Sequence, residues 1–101
     1  STLTSRNNLA YAYQSAGDLS RAIPLYEQTL TDRVRMLGED HPYTLTSRNN
    51  LAGALKEAGD LDLAIPLYER AVADSVRLHG DRHPTTLRIR GNLMAAYRAR
   101  P

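Results

Sequence analysis

Cysteine is absent from the 101-residue chain, which removes any disulfide framework and fits a reducing compartment; an intracellular, cytoplasmic location is expected. No apolar run approaches the ~18 residues of a membrane span, and there is no basic-then-apolar leader, so membrane insertion is not expected. Charge of one sign is also scarce. Thirteen basic and eleven acidic residues leave a net charge of +2, too little by itself to point to nucleic acid. Nothing alternates with period two over a useful length, which argues against strands. A nucleophile–base–acid set, a glycine-rich phosphate loop and carboxylates paired in a plausible cleft are missing too, so neither catalysis nor a cofactor is expected.

What the chain does contain is itself, twice. Thr2-Leu3-Thr4-Ser5-Arg6-Asn7-Asn8-Leu9-Ala10 returns unchanged as Thr44-Leu45-Thr46-Ser47-Arg48-Asn49-Asn50-Leu51-Ala52, and 26 of 42 positions agree when residues 1–42 are laid over 43–84. A period in this range marks an array whose units bury their apolar faces only against one another. The expected organisation is one domain with units at 1–42 and 43–84 and a partial repeat or capping helix at 85–101. With 42% hydrophobic and 24% charged residues the composition is that of a folded chain, although one this short builds a thin core.

Within the first unit Leu9, Ala12, Tyr13 and Ala16 fall at i, i+3, i+4 and i+7, and Leu51, Ala54, Leu55 and Ala58 repeat the spacing, so each unit opens with an amphipathic helix. Gly17-Asp18 and Gly59-Asp60 then supply a left-handed helix end and an acidic N-cap. A turn of one or two residues folds the next helix back antiparallel. That helix runs through Leu19, Ala22, Ile23, Tyr26, Leu30 and Val34 for about five turns, and again from Leu61 to Val76. Pro24 and Pro66 lie inside it but do not break the apolar phase, so a bend is expected. Gly38 and Gly80 end it, and Pro42 and Pro84 stand at first helical positions. Ala22 and Ala64 allow close helix approach, and Tyr26 and Tyr68 fill the wedge to the next unit. The fold class is all-α.

The set Leu9, Ala10, Tyr13, Gly17, Ala22 and Tyr26, repeated as Leu51, Ala52, Leu55, Gly59, Ala64 and Tyr68, resembles the tetratricopeptide repeat. The common form has ~34 residues. The longer period, the asparagine pair before Leu-Ala, the proline in the second helix and the connector Leu37-Gly38-Glu39-Asp40-His41-Pro42 resemble the kinesin light chain subclass. Arg6 and Arg48 stand where the family often has tryptophan, and Met94 stands at a small position. The resemblance implies a right-handed α-solenoid of about two and a half repeats that acts as a protein-interaction scaffold. With twelve arginines among thirteen basic residues, it also suggests a bacterial setting.

By the family's register the concave, partner-binding groove holds Thr4, Asn7, Tyr11, Gln14 and Ser15, then Thr46, Asn49, Gly53, Lys56 and Glu57, then Arg88, Gly91, Ala95, Arg98 and Ala99. Asn7 and Asn49 offer carboxamide donors and acceptors to an extended peptide; the competing role for the asparagine pairs is to bond helix to helix. Tyr11 suits stacking on a ligand, and Gly53, a costly residue in mid-helix, implies close approach of something. Lys56, Arg88 and Arg98 tilt the preference toward an acidic partner. The family's carboxylate clamp is not reproduced: Asn50 and Arg88 match in kind, but Asn7, Tyr11 and Asn92 stand where the other clamp residues belong.

Two further hypotheses compete. Six arginines in residues 75–101 against the single acid Asp81 raise RNA binding, although their spacing is not periodic. Self-association is the other, through Leu87, Leu93, Ala96 and Tyr97 on the outer side of the last helix. His41 and His83 recur as connector residues about one helix-packing distance, roughly 10 Å, apart, too far to share a metal ion.

Overall fold

Five helices account for nearly all of the computed structural model, which describes residues 2–101: α1 (Thr2–Ser15), α2 (Leu19–Leu37), α3 (Pro42–Glu57), α4 (Leu61–His79) and α5 (Pro84–Arg98). No strand occurs among the described residues. The molecule measures 37 × 32 × 19 Å, and the short dimension is two helix diameters, with α1, α3 and α5 in one layer and α2 and α4 in the other.

The reversal between α1 and α2 is made by glycine. Gly17 has φ +81°, its N–H donates to Gln14 O at 3.0 Å, and the N–H of Asp18 reaches back to Tyr13 O at 2.8 Å. This bond pair closes a helix with a left-handed residue, and Gly59 and Asp60 repeat it on Lys56 and Leu55. The link is three residues rather than the expected one or two, because the closing bonds need Ala16 outside the helix. Asp18 and Asp60 then accept from the backbone N–H groups of Arg21 and Leu63 and cap α2 and α4. Both proline-containing helices run unbroken for 19 residues. Beyond Gly38 and Gly80, the histidines at 41 and 83 are N-caps: Nδ1 accepts from Tyr43 N at 3.0 Å and Thr85 N at 3.1 Å. His83 also stacks on His79, the last residue of α4, with ring centroids 4.3 Å apart.

Two apolar clusters fill the space between layers. Ala10, Ala22, Tyr26, Leu51, Ala54 and Leu55 pack where α1, α2 and α3 meet, joined by Ala64 of α4; Leu45, Ala52, Ile65, Tyr68, Ala71, Ile89, Leu93 and Ala96 pack where α3, α4 and α5 meet. Polar bonds brace the same joints. Arg6 pairs with Asp32 at 2.6 Å and Arg48 with Asp74 at 2.9 Å, so the arginines that replace tryptophan tie the two helices of each unit. Arg33 donates to Tyr43 O and Ser47 Oγ, joining α2 to α3.

The end helices depart from the periodic reading. Leu9 is 48% exposed where Leu51 is 6% exposed, and Ala12 and Ala16 are exposed, because only α2 covers α1 whereas α3 lies between α2 and α4. Leu93 and Ala96, expected on the outer side of α5, are buried against α4. Leu87 and Met94 are the apolar residues that α5 exposes.

Candidate functional site

On the α1–α3–α5 layer lies an open hollow of about 320 Å³. Tyr11 and Gln14 of α1, Asn49, Asn50, Gly53, Lys56 and Glu57 of α3, and Asn92 of α5 form its walls, and Tyr26 and Tyr68 reach it from the second layer. Of the fifteen residues expected in the groove, the structure therefore brings together Tyr11, Gln14, Asn49, Gly53, Lys56 and Glu57. Asn7 touches this group through Asn50. Thr4 and Thr46 lie further toward the helix N-termini, both exposed, and the Thr46 hydroxyl donates within its own helix to Pro42 O. Arg88 and Arg98 are exposed on α5, outside the hollow.

The asparagines bond in a ladder. Asn50 Nδ2 donates to Asn7 Oδ1 at 3.2 Å, and Asn92 Nδ2 donates to Asn49 Oδ1 at 3.3 Å, so α3 is tied to α1 and α5 to α3 along the layer. Of the two roles weighed for these residues, the bonds are those of the helix-to-helix role. Each rung spends one oxygen and one nitrogen. The nitrogens of Asn7 and Asn49 and the oxygens of Asn50 and Asn92 have no other partner among the described residues.

Beside the ladder, the Tyr26 hydroxyl donates to Gln14 Oε1 at 2.7 Å, and Gln14 Nε2 donates to Glu57 Oε1 at 2.8 Å. Burial, with the charge of Glu57 adding to it and then that of Tyr11, pushes the Tyr26 phenol up to about 12; Tyr68 is raised by burial and then by Glu57. A Cβ built on Gly53 would lie 3.4 Å from the Tyr68 hydroxyl, so the close approach implied by a mid-helix glycine is that of this phenol.

Sequence reasoning assigned Tyr26 and Tyr68 to packing alone. They pack, but their hydroxyls also furnish the hollow. The available signal was tyrosine rather than phenylalanine at a core position in both units, since a buried phenol usually finds a polar outlet. Among the described residues no helix is long and apolar enough to cross a membrane.

No curated protein matches the chain. Solved structures do, among them the nearly identical TPR-like repeats of a putative kinesin light chain from Podosopora anserina and a single-substitution variant of the same repeats. Each of these two is 33% identical with a TM-score of 0.89 over 97% of this chain and 46% of theirs, so the chain spans less than half the length of the structures it matches. The tetratricopeptide repeat model matches residues 1–74 and again 49–100. Repeats of this kind generally mediate protein–protein interaction and are typically non-catalytic. With helix pairs that reverse at Gly17 and Gly59, small residues at Ala22 and Ala64 and a family match over almost its whole length, the chain belongs to the tetratricopeptide repeat family in its kinesin light chain-like form.

Proposed function

We propose that units 1–42 and 43–84, with residues 85–101, form one section of an intracellular, cytoplasmic scaffold that holds a partner protein by an extended peptide laid along the α1–α3–α5 layer. The observation that carries this is the half-used asparagine ladder. Every rung leaves one amide nitrogen and one amide oxygen unpaired, which is the pair of groups that the backbone of an extended chain requires. Tyr11, 65% exposed at the rim, supplies an aromatic contact that the fold does not need. Lys56 at the hollow, with Arg88 and Arg98 further along α5, favours an acidic partner.

Peptides selected from a random display library on this domain test the proposal. Tyr11→Ala should weaken them about tenfold with unchanged helicity. Retention of full affinity would remove the groove assignment.

Self-association is supported by a different observation. Leu87 and Met94 on α5 are exposed, whereas Leu45 and Ala52, their counterparts one period earlier, are completely buried. Light scattering over a concentration series distinguishes the two: a strict monomer at all concentrations excludes assembly through α5.

A further inference from the structure

The face that α3 gives to α4 stands open on α5. On α3, Leu45 and Ala52 lie in the apolar cluster shared with α4, and Arg48 between them pairs with Asp74; the three residues are 1%, 0% and 4% exposed. α1 treats α2 in the same way, with Arg6 paired to Asp32 and Ala10 fully buried. One period later, on α5, these positions are Leu87, Arg90 and Met94. Their spacing of i, i+3 and i+7 puts them on one side of the helix. Leu87 is 54% and Met94 46% exposed, and the Arg90 guanidinium is paired with the connector residue Asp81 at 3.3 Å.

Charge specifies what would cover that side. In the second unit α4 also clasps the connector ahead of α3: Arg70 pairs with Glu39, and Arg77 with Asp40. So α4 presents base, acid and base at 70, 74 and 77 to Glu39, Arg48 and Asp40. Ahead of α5 the connector is altered. Asp81 keeps the charge of Glu39, but Arg82 reverses that of Asp40, and it is exposed without an ion-pair partner among the described residues. A helix laid on α5 as α4 lies on α3 therefore needs an acid for Arg90, a second acid three residues later for Arg82, and a base four residues before the first for Asp81. None of α1–α5 has two acids three residues apart: α2 offers Asp32 with Arg35, α4 offers Asp74 with Arg77, and α5 has no acid at all. Charge thus disfavours a second copy of the chain at this face.

We propose that the open face of α5 docks an amphipathic helix of a partner protein, whose two acids, three residues apart, meet Arg90 and Arg82 while its apolar side covers Leu87 and Met94. A base one turn earlier on that helix takes Asp81 and frees Arg90 for the partner's acid. The surface is the end of the stack, apart from the hollow lined by Tyr11, Asn49 and Gly53. It does not depend on the extended-peptide groove, and either can fail without the other.

The test uses three acetylated and amidated peptides that copy α4, Leu61–His79, titrated into the isotope-labelled domain and followed by amide chemical shifts. One is unaltered, one carries Arg77→Glu, and one carries Arg77→Glu with Asp74→Ala. The Arg77→Glu peptide should move the Leu87 and Met94 amides and bind about fivefold tighter than the unaltered one, because repulsion from Arg82 becomes attraction at a solvated site. Removing the acid that meets Arg90 should weaken it again by about the same factor. In the Arg82→Asp domain, shown to fold by unchanged circular dichroism, the unaltered peptide should bind the tighter of the two. That inversion excludes a mere difference in peptide helicity. Equal binding of the first two peptides, or an order that Arg82→Asp leaves unchanged, overturns the proposal. Shifts at Tyr11, Asn49 and Gly53 without shifts at Leu87 and Met94 place the helix in the groove and overturn it too. A dimer seen by light scattering, abolished by Leu87→Ser and not dispersed by the Arg77→Glu peptide, gives the face to a second copy and likewise overturns it.

Discussion

Arg48 Nη1 lies 2.9 Å from Asp74 Oδ2, and each of the two side chains is only 5% exposed. Asp74 is further shared with Arg77 at 3.0 Å and approached by Arg70 at 3.5 Å, while Arg48 has Glu39 at 3.6 Å. The pair ties α3 to α4 at a depth where an unmatched charge has little water to turn to. Asp74→Ala should therefore cost about 3 kcal/mol or more in urea unfolding, because it strands the Arg48 guanidinium. Arg6 and Asp32, the same pair one unit earlier, are about one-fifth exposed, and Asp32→Ala should cost roughly half as much. Equal losses at the two sites would show that burial does not set the energy.

Thr29 is fully buried and its hydroxyl is without a hydrogen-bond partner. Its counterpart in the second unit is Ala71, which is equally buried. Thr29→Ala removes the unsatisfied oxygen and improves helix propensity, at the cost of a methyl-sized space. A gain of about 1 kcal/mol is expected by denaturant titration. A clear loss of stability would mean that methyl packing outweighs the stranded hydroxyl.

The asymmetry between Tyr26 and Tyr68 predicts unequal responses to the same change. Tyr26→Phe deletes the bond to Gln14 and should cost about 1 kcal/mol. Tyr68→Phe deletes no bond among the described residues and should be close to neutral, since its hydroxyl opens on the hollow, where water can serve it. Thermal melts of the two variants, side by side, decide this without any ligand.

Alkaline unfolding should carry the signature of Tyr26. Its phenol ionises near 10.0 in the unfolded chain and at about 12 in the folded one, so between these values the unfolded state holds fewer protons. The contribution is complete below pH 10 and is lost as pH rises toward 12. Absorbance titration of phenolate should show a late step that Tyr26→Phe abolishes, and stability in that window should become less steep in the variant.

His41 and His83 cap α3 and α5 through Nδ1. Replacing either by alanine should cost about 1 kcal/mol, and asparagine should restore most of the loss, because its side-chain oxygen accepts the same N–H group. Failure of asparagine to rescue would assign the effect to the ring contacts with Tyr43 and His79 instead.

Much of this architecture is written in local chemistry. Gly17 and Gly59 can take a positive φ, Asp18 and Asp60 can cap, Pro42 and Pro84 can start a helix, and the apolar spacing between them has one period; each is settled within a few neighbouring residues, so the five helices and their antiparallel order are legible in the chain. The groove was legible in outline, because its register is carried by the repeat. Which side chains actually converge was not. The sequences around Asn7 and Asn49 are identical, and so are those around Leu9 and Leu51, yet Leu9 is exposed and Leu51 buried, and whether an asparagine is anchored depends on a residue 43 positions away. Likewise Tyr26 and Tyr68 differ only in what stands across from them, Gln14 or Lys56. A repeating sequence specifies its helices by itself; the fate of each hydrogen bond and apolar face is set by which helix packs against it, and only the tertiary structure decides that.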